Sequence, residues 1–310
     1  MANAFGAESL SMSGSFRRAV VLGDGAVGGL LGRLLADDEC QVTAFDLRSG
    51  TDARQPPSGA YARALRDADL AILSLPESAC LSALRHLTTK EAPLALIVDT
   101  TSVKSALPPL WARPERPPVL SINPMFKPGL VIAGRPCLVI DPDRSAAGSA
   151  LITCLGRWGL TVIPVPDAET HDRLCAAAQA SVHAAVLALG LALSSSGISV
   201  AEVLAVAPPP CRTMLLLLAR ISGGAADVYE DIQKANPYAA EARDALRVSL
   251  SQLDASLSRA ADFSAMLEQV GSWLDASQDS LADQCGRLFD ELVPVMDGLP
   301  APQVNPPGRP

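Results

Sequence analysis

The run Gly23-Asp24-Gly25-Ala26-Val27-Gly28 has the spacing G-x-G-x-x-G. It follows a short apolar stretch, opens an apolar-periodic segment, and is followed by Asp46 at the end of the next apolar stretch. In that context the spacing binds a dinucleotide. Gly23 permits a tight turn. Gly25 lets the backbone approach a pyrophosphate, and Gly28 lets a helix pack closely on a strand. The helix N-terminus offers free N–H groups to phosphates. Asp46 can accept hydrogen bonds from ribose hydroxyls and would repel a 2′-phosphate. That favours NAD over NADP, although Arg48 keeps NADP open. Ser74, Leu75 and Pro76 end a further apolar run whose backbone would touch the cofactor, and Thr101 is grouped with them. Ser102 and Lys104 follow the run ending at Asp99, at the carboxyl edge where sheets of this kind bind ligands. The plainer alternative for them is a helix cap and an exposed lysine. Arg212 and Arg220 are eight residues apart, about 12 Å along a helix and within about 80° of one face. Guanidinium groups so placed suit a dianionic substrate; a helix-end arginine is the alternative. His183 lies four residues after Gln179 on one helical face, either as a polar pair or as a core histidine.

These residues need elements to hold them. Strand-like runs at 19–22, 41–46, 70–76, 94–99, 119–123 and 136–141 alternate with helical stretches such as Glu77–Leu87 and Ser145–Trp158. The alternation predicts an α/β domain over 16–165, a Rossmann-type doubly wound parallel sheet covered on both faces. After the Pro-Val-Pro at 164–166 nothing reads as a strand. Asp167–Ser195, Val200–Val206 and Thr213–Ile221 read as helices. Asn236-Pro237 reads as a helix start. Leu246, Leu250, Leu253 and Leu257 share one helical face, on a helix expected to run past Trp273. Residues 166–296 are therefore expected to form an all-helical domain for substrate binding and dimerisation. Helices this apolar exceed what one small bundle buries, so a homodimer is expected. Residues 1–15 and the proline-rich 297–310 are expected to be disordered.

Of 310 residues, 49% are apolar and 19% charged, which excludes a disordered chain. The net charge of −8, with no basic run longer than two, argues against a nucleic-acid surface. Seven cysteines without CxxC spacing and three histidines leave little for a metal site, and such cysteines suit a reducing cytosol. The first residues lack the pattern of a signal peptide. The most apolar stretch, Ala176–Leu193, carries Gln179 and His183 and has no basic flanks, so it reads as a buried core helix and not as a membrane span.

Four further segments appear in order: VDTTSVK (98–104), NPMFKP (123–128), HDRLCAAAQASVH (171–183), and Arg212 and Arg220 ahead of VYEDIQ (228–233). Together they resemble the TyrA family of prephenate and arogenate dehydrogenases, over roughly residues 17–275. The resemblance implies an NAD(P)-linked oxidative decarboxylation, in which hydride leaves C4 of a cyclohexadiene ring and the ring carboxylate leaves as CO2. It implies that Ser102 hydrogen-bonds the C4 substituent, that Lys104 supports the site electrostatically, and that Arg220 binds a substrate carboxylate with Arg212 close by. It places His183 near the substrate and leaves His171 structural.

One position departs from the family. Where the pattern has HPMF, with a histidine that takes the proton of the 4-hydroxyl, this chain has Asn123. Asparagine accepts no proton at neutral pH, and such a base is worth roughly 10²–10⁴ in rate. Three readings follow. In the first, the substrate carries nitrogen at C4, whose lone pair stabilises the developing cation, with Asn123 Oδ1 accepting an N–H bond; it would be 4-amino-4-deoxyprephenate, a precursor used in antibiotic biosynthesis. Alternatively, another group is the base and the enzyme is an ordinary prephenate or arogenate dehydrogenase. Or the chain is a weak paralogue that only binds nucleotide.

Overall fold

The computed structural model describes residues 16–87, 94–113, 116–224 and 226–292. The expected disordered termini, 1–15 and 297–310, lie outside them. The described chain divides into two compact units, one of residues 1–175 with 234–237, the other of 176–233 with 238–310. The expected boundary at 165/166 lies ten residues earlier, because the first turns of the following helix pack with the sheet unit.

In the first unit the elements run β1 (Arg18–Leu22), α1 (Ala26–Asp37), β2 (Gln41–Phe45), α2 (Gly59–Asp67), β3 (Leu70–Leu73), α3 (Glu77–Leu87), β4 (Leu96–Asp99), α4 (Pro108–Trp111), β5 (Val119–Pro124), β6 (Pro136–Ile140), α5 (Ala146–Arg157), β7 (Thr161–Pro164) and α6 (Ala168–Cys175). The strands form one seven-stranded sheet in the order β2-β1-β3-β4-β5-β6-β7. Continuous apolar runs make its strands, since both faces are buried. In β1, Val20 and Leu22 join one core with Leu73, Ile97 and Trp111, while Ala19 and Val21 join the other with Leu31, Leu35 and Leu155. The sheet is parallel except that β6 runs antiparallel to β5, with Asn123 opposite Leu138. The expected doubly wound parallel sheet is present, with that one antiparallel pair added, and β7 is a strand the sequence reading did not find. The order reverses between β1 and β3, which places the ligand crevice at their carboxyl ends.

A π-helical turn, Ala176–Ala180, begins the second unit. Then come α7 (Ser181–Ser194), α8 (Val200–Val206), α9 (Pro209–Ser222), α10 (Ala226–Lys234), α11 (Ala239–Ser256), α12 (Ala260–Leu274) and α13 (Gln278–Leu292). The single helix expected over 167–195 is thus interrupted by the π turn. The helix after Asn236-Pro237 starts at Ala239, and Asn236 is buried with its Nδ2 donating to the Asp172 carbonyl at 2.8 Å. It ends at Ser256, short of Trp273. Helix α7 packs on α9 so closely that a Cβ at Gly190 would lie 2.6 Å from Leu218.

The stretch Ala168–Ser194 is long and apolar enough to cross a membrane by length and composition, yet only 22% of its most apolar window is buried. It is therefore not the buried core helix expected from sequence. Other apolar residues of the helical unit are open as well: Leu250, Leu257 and Trp273 are 61%, 64% and 82% exposed, so Trp273 is not the packing residue its type suggests among the described residues.

The glycine turn supplies a test of the packing. A Cβ on Gly28 would lie 2.0 Å from the Gly23 carbonyl oxygen, whereas one on Gly25 would meet nothing within 4 Å. Gly28→Ala is expected to cost about 1–3 kcal/mol, read as a lower urea midpoint. Gly25→Ala should stay within about 0.5 kcal/mol of the parent. Equal midpoints for the two variants would contradict this geometry.

Candidate active site

The glycine turn leaves β1 with Gly23 at φ 90°, and its N–H donates to the Phe45 carbonyl at 2.8 Å. A Cβ there would lie 2.1 Å from the Ser74 carbonyl oxygen, so β1 and β3 can approach only with glycine at this position. Asp24, Gly25 and Ala26 are exposed at the crevice mouth, and Val27 is half-buried. No side chain caps α1 at Gly25, and its first turn holds no acidic residue. That helix end, with open space above Gly25, fits a pyrophosphate.

Asp46 closes the same edge. Its Oδ2 accepts the Asp24 N–H at 3.0 Å, and its Oδ1 accepts the Arg48 N–H at 2.9 Å and Nε at 2.7 Å. The Arg48 guanidinium also donates to the Asp24 carbonyl at 2.7 Å. These bonds, those from the Arg48 side chain first, hold the Asp46 carboxyl down at about 2. The carboxylate is ionised at any working pH. A cleft of about 370 Å³ is lined by Asp24, Ala44, Asp46, Arg48 and Ser49. Ser74 and Leu75 are half-buried and Pro76 is exposed at the end of β3. Thr101 is turned away: its hydroxyl faces Asp99 Oδ1 at 3.0 Å and the Val103 carbonyl at 2.9 Å. Its expected role toward the cofactor therefore cannot fall to that hydroxyl.

Further along the sheet edge lies a buried polar cluster. Lys104 is fully buried, which overturns the exposed-lysine alternative. Its Nζ donates to Asp99 Oδ1 at 2.6 Å and to the Ile122 carbonyl at 2.9 Å, directly before Asn123. Asp172 gathers donors from two elements. It accepts the backbone N–H groups of Lys104 and Ser105, each at 2.9 Å, the Ser105 hydroxyl, and His171 Nδ1 at 2.8 Å. His171 Nε2 lies 3.1 Å from Asn123 Nδ2, which also points at Cys175 Sγ at 3.5 Å. Ser102 is half-buried at the same edge.

The sequence reading found no histidine near Asn123 and set His171 aside as structural. The fold brings the two together across 48 residues. A buried histidine followed by a buried aspartate was the only available signal, and nothing local connected it to β5.

Electrostatics follow from burial. Burial depresses the His171 imidazole against the opposing bond to Asp172, so it is neutral. Burial alone would raise the Asp172 carboxyl, but the bonds from His171, Ser105 and Lys104 outweigh it and the net shift is downward. Burial pushes the Cys175 thiol up to about 12, so it remains a thiol.

Among the residues expected to bind substrate, Gln179 sits on the π turn, a feature often found at functional sites. Its Oε1 and the Nδ1 of His183 are buried without a hydrogen-bond partner among the described residues. The His183 ring meets Tyr229 edge-on, with centroids 5.0 Å apart. Arg212 donates to the carbonyls of Ala207 at 3.0 Å and Leu204 at 3.2 Å, closing the end of α8. Arg220 is exposed on the last turn of α9.

A doubly wound sheet with an open glycine turn, followed by an all-helical unit, defines a nicotinamide-nucleotide dehydrogenase of the two-domain class. Comparison with known proteins narrows this. Residues 167–270 match the family profile described as "Prephenate dehydrogenase, dimerization domain". The chain is 37% identical over 298 residues to a 4-amino-4-deoxyprephenate dehydrogenase of Streptomyces pristinaespiralis, covering 89% of this chain and 98% of that one. It is 26% identical to the T-protein of Haemophilus influenzae over 74% of this chain, and spans 59% of that longer protein. A crystal structure of prephenate dehydrogenase from A. aeolicus, in complex with hydroxyphenyl propionate and NAD+, shares the fold with a TM-score of 0.65 at 18% identity, over 85% of this chain and 98% of that one. The chain belongs to the TyrA family of prephenate and arogenate dehydrogenases. It is an oxidoreductase that couples dehydrogenation to decarboxylation.

The buried cluster predicts both stability and its pH dependence. Lys104→Met leaves Asp99 charged and unpaired in the core and is expected to cost about 3–5 kcal/mol. Adding Asp99→Asn should recover part of that loss in urea titrations; a Lys104→Met protein as stable as the parent would contradict the pairing. At His171 and Asp172 the native chain binds fewer protons than the unfolded chain. Stability is therefore full above about pH 6.5, the ordinary histidine value. It falls on acidification, first through His171 and again as Asp172 is protonated. Urea midpoints that do not move between about pH 7.5 and about pH 5 would contradict the assigned charge states.

Proposed function

We propose that this chain carries out the NAD-dependent oxidative decarboxylation of 4-amino-4-deoxyprephenate to 4-aminophenylpyruvate. The observation that carries the reading is Asn123. It stands on β5 with its Nδ2 committed to His171 and Cys175, leaving Oδ1 as the group it can present. A carbonyl oxygen accepts a hydrogen bond from an amine and removes no proton. Removing hydride from C4 leaves positive charge on that carbon. A neutral amine lone pair relieves the charge as an iminium, and loss of CO2 then returns an electron pair to aromatise the ring. The nitrogen keeps both its protons, so the step needs no base. A hydroxyl donates its lone pair less readily and gains more from a base. The amino-substrate activity of the Streptomyces relative supports the same choice.

The cofactor fits the residues present. Gly23, Gly25 and Gly28, the uncapped start of α1 and the ionised Asp46 would hold NAD, which supplies the acceptor for the hydride. Arg48 is tied to Asp46 and would have to leave it to meet a 2′-phosphate, so NADP is the weaker alternative. Ser102 would hydrogen-bond the C4 substituent. Lys104, sealed in the core, would act by holding β5 in place. Gln179, His183 and Arg220 would contact substrate, with Arg220 gripping a carboxylate. A second copy would cover the exposed apolar faces of α7, α11 and α12, giving a homodimer through the helical unit. All seven cysteines are free, in keeping with a cytosolic enzyme.

A second reading rests on His171, an imidazole backed by a carboxylate one residue away from the reaction. It would make the chain an ordinary prephenate or arogenate dehydrogenase. Its Nε2 is already occupied by Asn123, which argues against direct contact with substrate.

Rates on 4-amino-4-deoxyprephenate, prephenate and arogenate, each with NAD and NADP, decide between these readings. The amino substrate with NAD is expected to be fastest, and faster turnover of either hydroxy substrate would sink the proposal. Asn123→His should raise kcat/KM on prephenate relative to the amino substrate, by up to roughly 10²-fold. Arg220→Ala should reduce kcat/KM by the equivalent of about 2–4 kcal/mol, and a parental KM and kcat would remove Arg220 from the site.

A further inference from the structure

We infer that His171 is a positioning residue that sets which atom of the Asn123 amide faces the substrate, and so builds the acceptor on which the amino-substrate reading rests. The chain of constraint begins at Asp172. An ionised carboxylate only accepts hydrogen bonds. The imidazole nitrogen 2.8 Å from Asp172 Oδ1 must therefore carry the proton, which fixes His171 as the Nδ1–H tautomer. In a neutral ring Nε2 is then a bare lone pair. The amide atom 3.1 Å from it must be a donor, so Asn123 places Nδ2 there. Oδ1 is left over, and no group among the described residues donates to it.

An asparagine amide is otherwise free to turn end for end, because its two ends differ little in shape. Turned over, it would present N–H donors to the C4 substituent, which would engage the amine's lone pair and leave its N–H groups without an acceptor. His171 removes that freedom without reaching the substrate. The groups facing its ring are Asp172 and Cys175 on its own helix, Asp99 and Lys104 from the end of β4 and the loop after it, and Asn123 on β5. Among these, Asp172 is the one charged group in hydrogen-bond contact with the ring. Its four donors include two backbone N–H groups, so the carboxylate does not depend on the histidine for its place. Protonating His171 would put a hydrogen on Nε2 against Nδ2 and turn the amide over.

The test uses equilibrium binding to the NAD-loaded full chain, so that turnover does not enter. The probes are 3-(4-aminophenyl)propanoate, which offers N–H donors at the ring position, and 3-(4-nitrophenyl)propanoate, which offers only acceptors. The parent should favour the amino probe near pH 8. His171→Leu should lower the amino-to-nitro affinity ratio by roughly tenfold, the scale of one hydrogen bond. His171→Gln can put a carbonyl oxygen where Nε2 was, and should hold the ratio within roughly threefold. As the pH is lowered the parent should lose its preference in step with protonation of His171, followed by the NMR shifts of the ring, while His171→Gln keeps it because glutamine does not titrate. Should His171→Leu fail to fold, His171→Ala takes its place and the same fall in ratio is expected. Equal ratios in all three proteins, or an unchanged ratio once the His171 ring is protonated, would overturn the inference. A chain that turns over prephenate fastest would defeat the substrate reading instead, and the probe ratios would still report on the amide.

Discussion

A buried carboxylate organises the catalytic edge. Asp172 has no access to solvent and meets that cost with four donors, two of them backbone N–H groups of Lys104 and Ser105. Those bonds clamp the loop after β4 to α6. The Asp172 backbone carbonyl takes a bond from Asn236 and so draws 234–237 back to the sheet unit. Lys104, held at its own N–H by this carboxylate, reaches inward to Asp99 and to the carbonyl before Asn123. One anion thus fixes the position of β5 through a lysine and the orientation of its asparagine through a histidine. Neutralising it would release all three together, which is why the geometry of Asn123 cannot be treated apart from the core.

The nucleotide edge obeys a simpler constraint, the distance between two backbones. Gly23 and Gly28 are required by contacts of about 2 Å that any side chain would make. Gly25 is required by nothing in the protein, and the space above it is where a pyrophosphate would lie. Asp46 then binds the turn back to β2 while presenting a carboxylate at the rim. The two edges lie along the carboxyl ends of one sheet, so the order of strands sets the distance from the nucleotide turn to Asn123.

Much of this was legible in the sequence, and the boundary of legibility is physical. The glycine turn, Asp46 and the buried strands are local patterns, so spacing alone exposed them. Asn123 was legible as a departure from a motif. What spacing could not show were contacts closed by the fold. His171 meets Asn123 across 48 residues, and Lys104 finds its ion partner only when the loop turns inward. Strand β7 was missed because its two apolar residues, Val162 and Ile163, run straight into the Pro-Val-Pro at 164–166, which reads as a hinge, and the strand is mostly exposed at the sheet edge. The helical unit misled in the opposite way. Its apolar content implied burial, but much of that surface lies open in a single chain.

In the proposed reading one substitution at position 123 changes the chemistry without disturbing the scaffold, and the cluster supplies the reason. Suppose a histidine stood at position 123. The lone pair of His171 Nε2 would meet it at about the distance now found for the amide, and would accept a hydrogen from one of its ring nitrogens. The other ring nitrogen, which lies further from the backbone than either amide atom, would then be left bare, a base beyond the present amide. The same neighbour therefore orients either residue by the same rule: the atom nearest His171 must donate, so the outward atom must accept. With histidine the outward acceptor can take a proton, and with asparagine it cannot. Asp172, His171 and the lysine beneath them need not move. In the proposed reading the choice between an oxygen and a nitrogen substituent on the ring falls to one residue, whose direction is set by the core behind it.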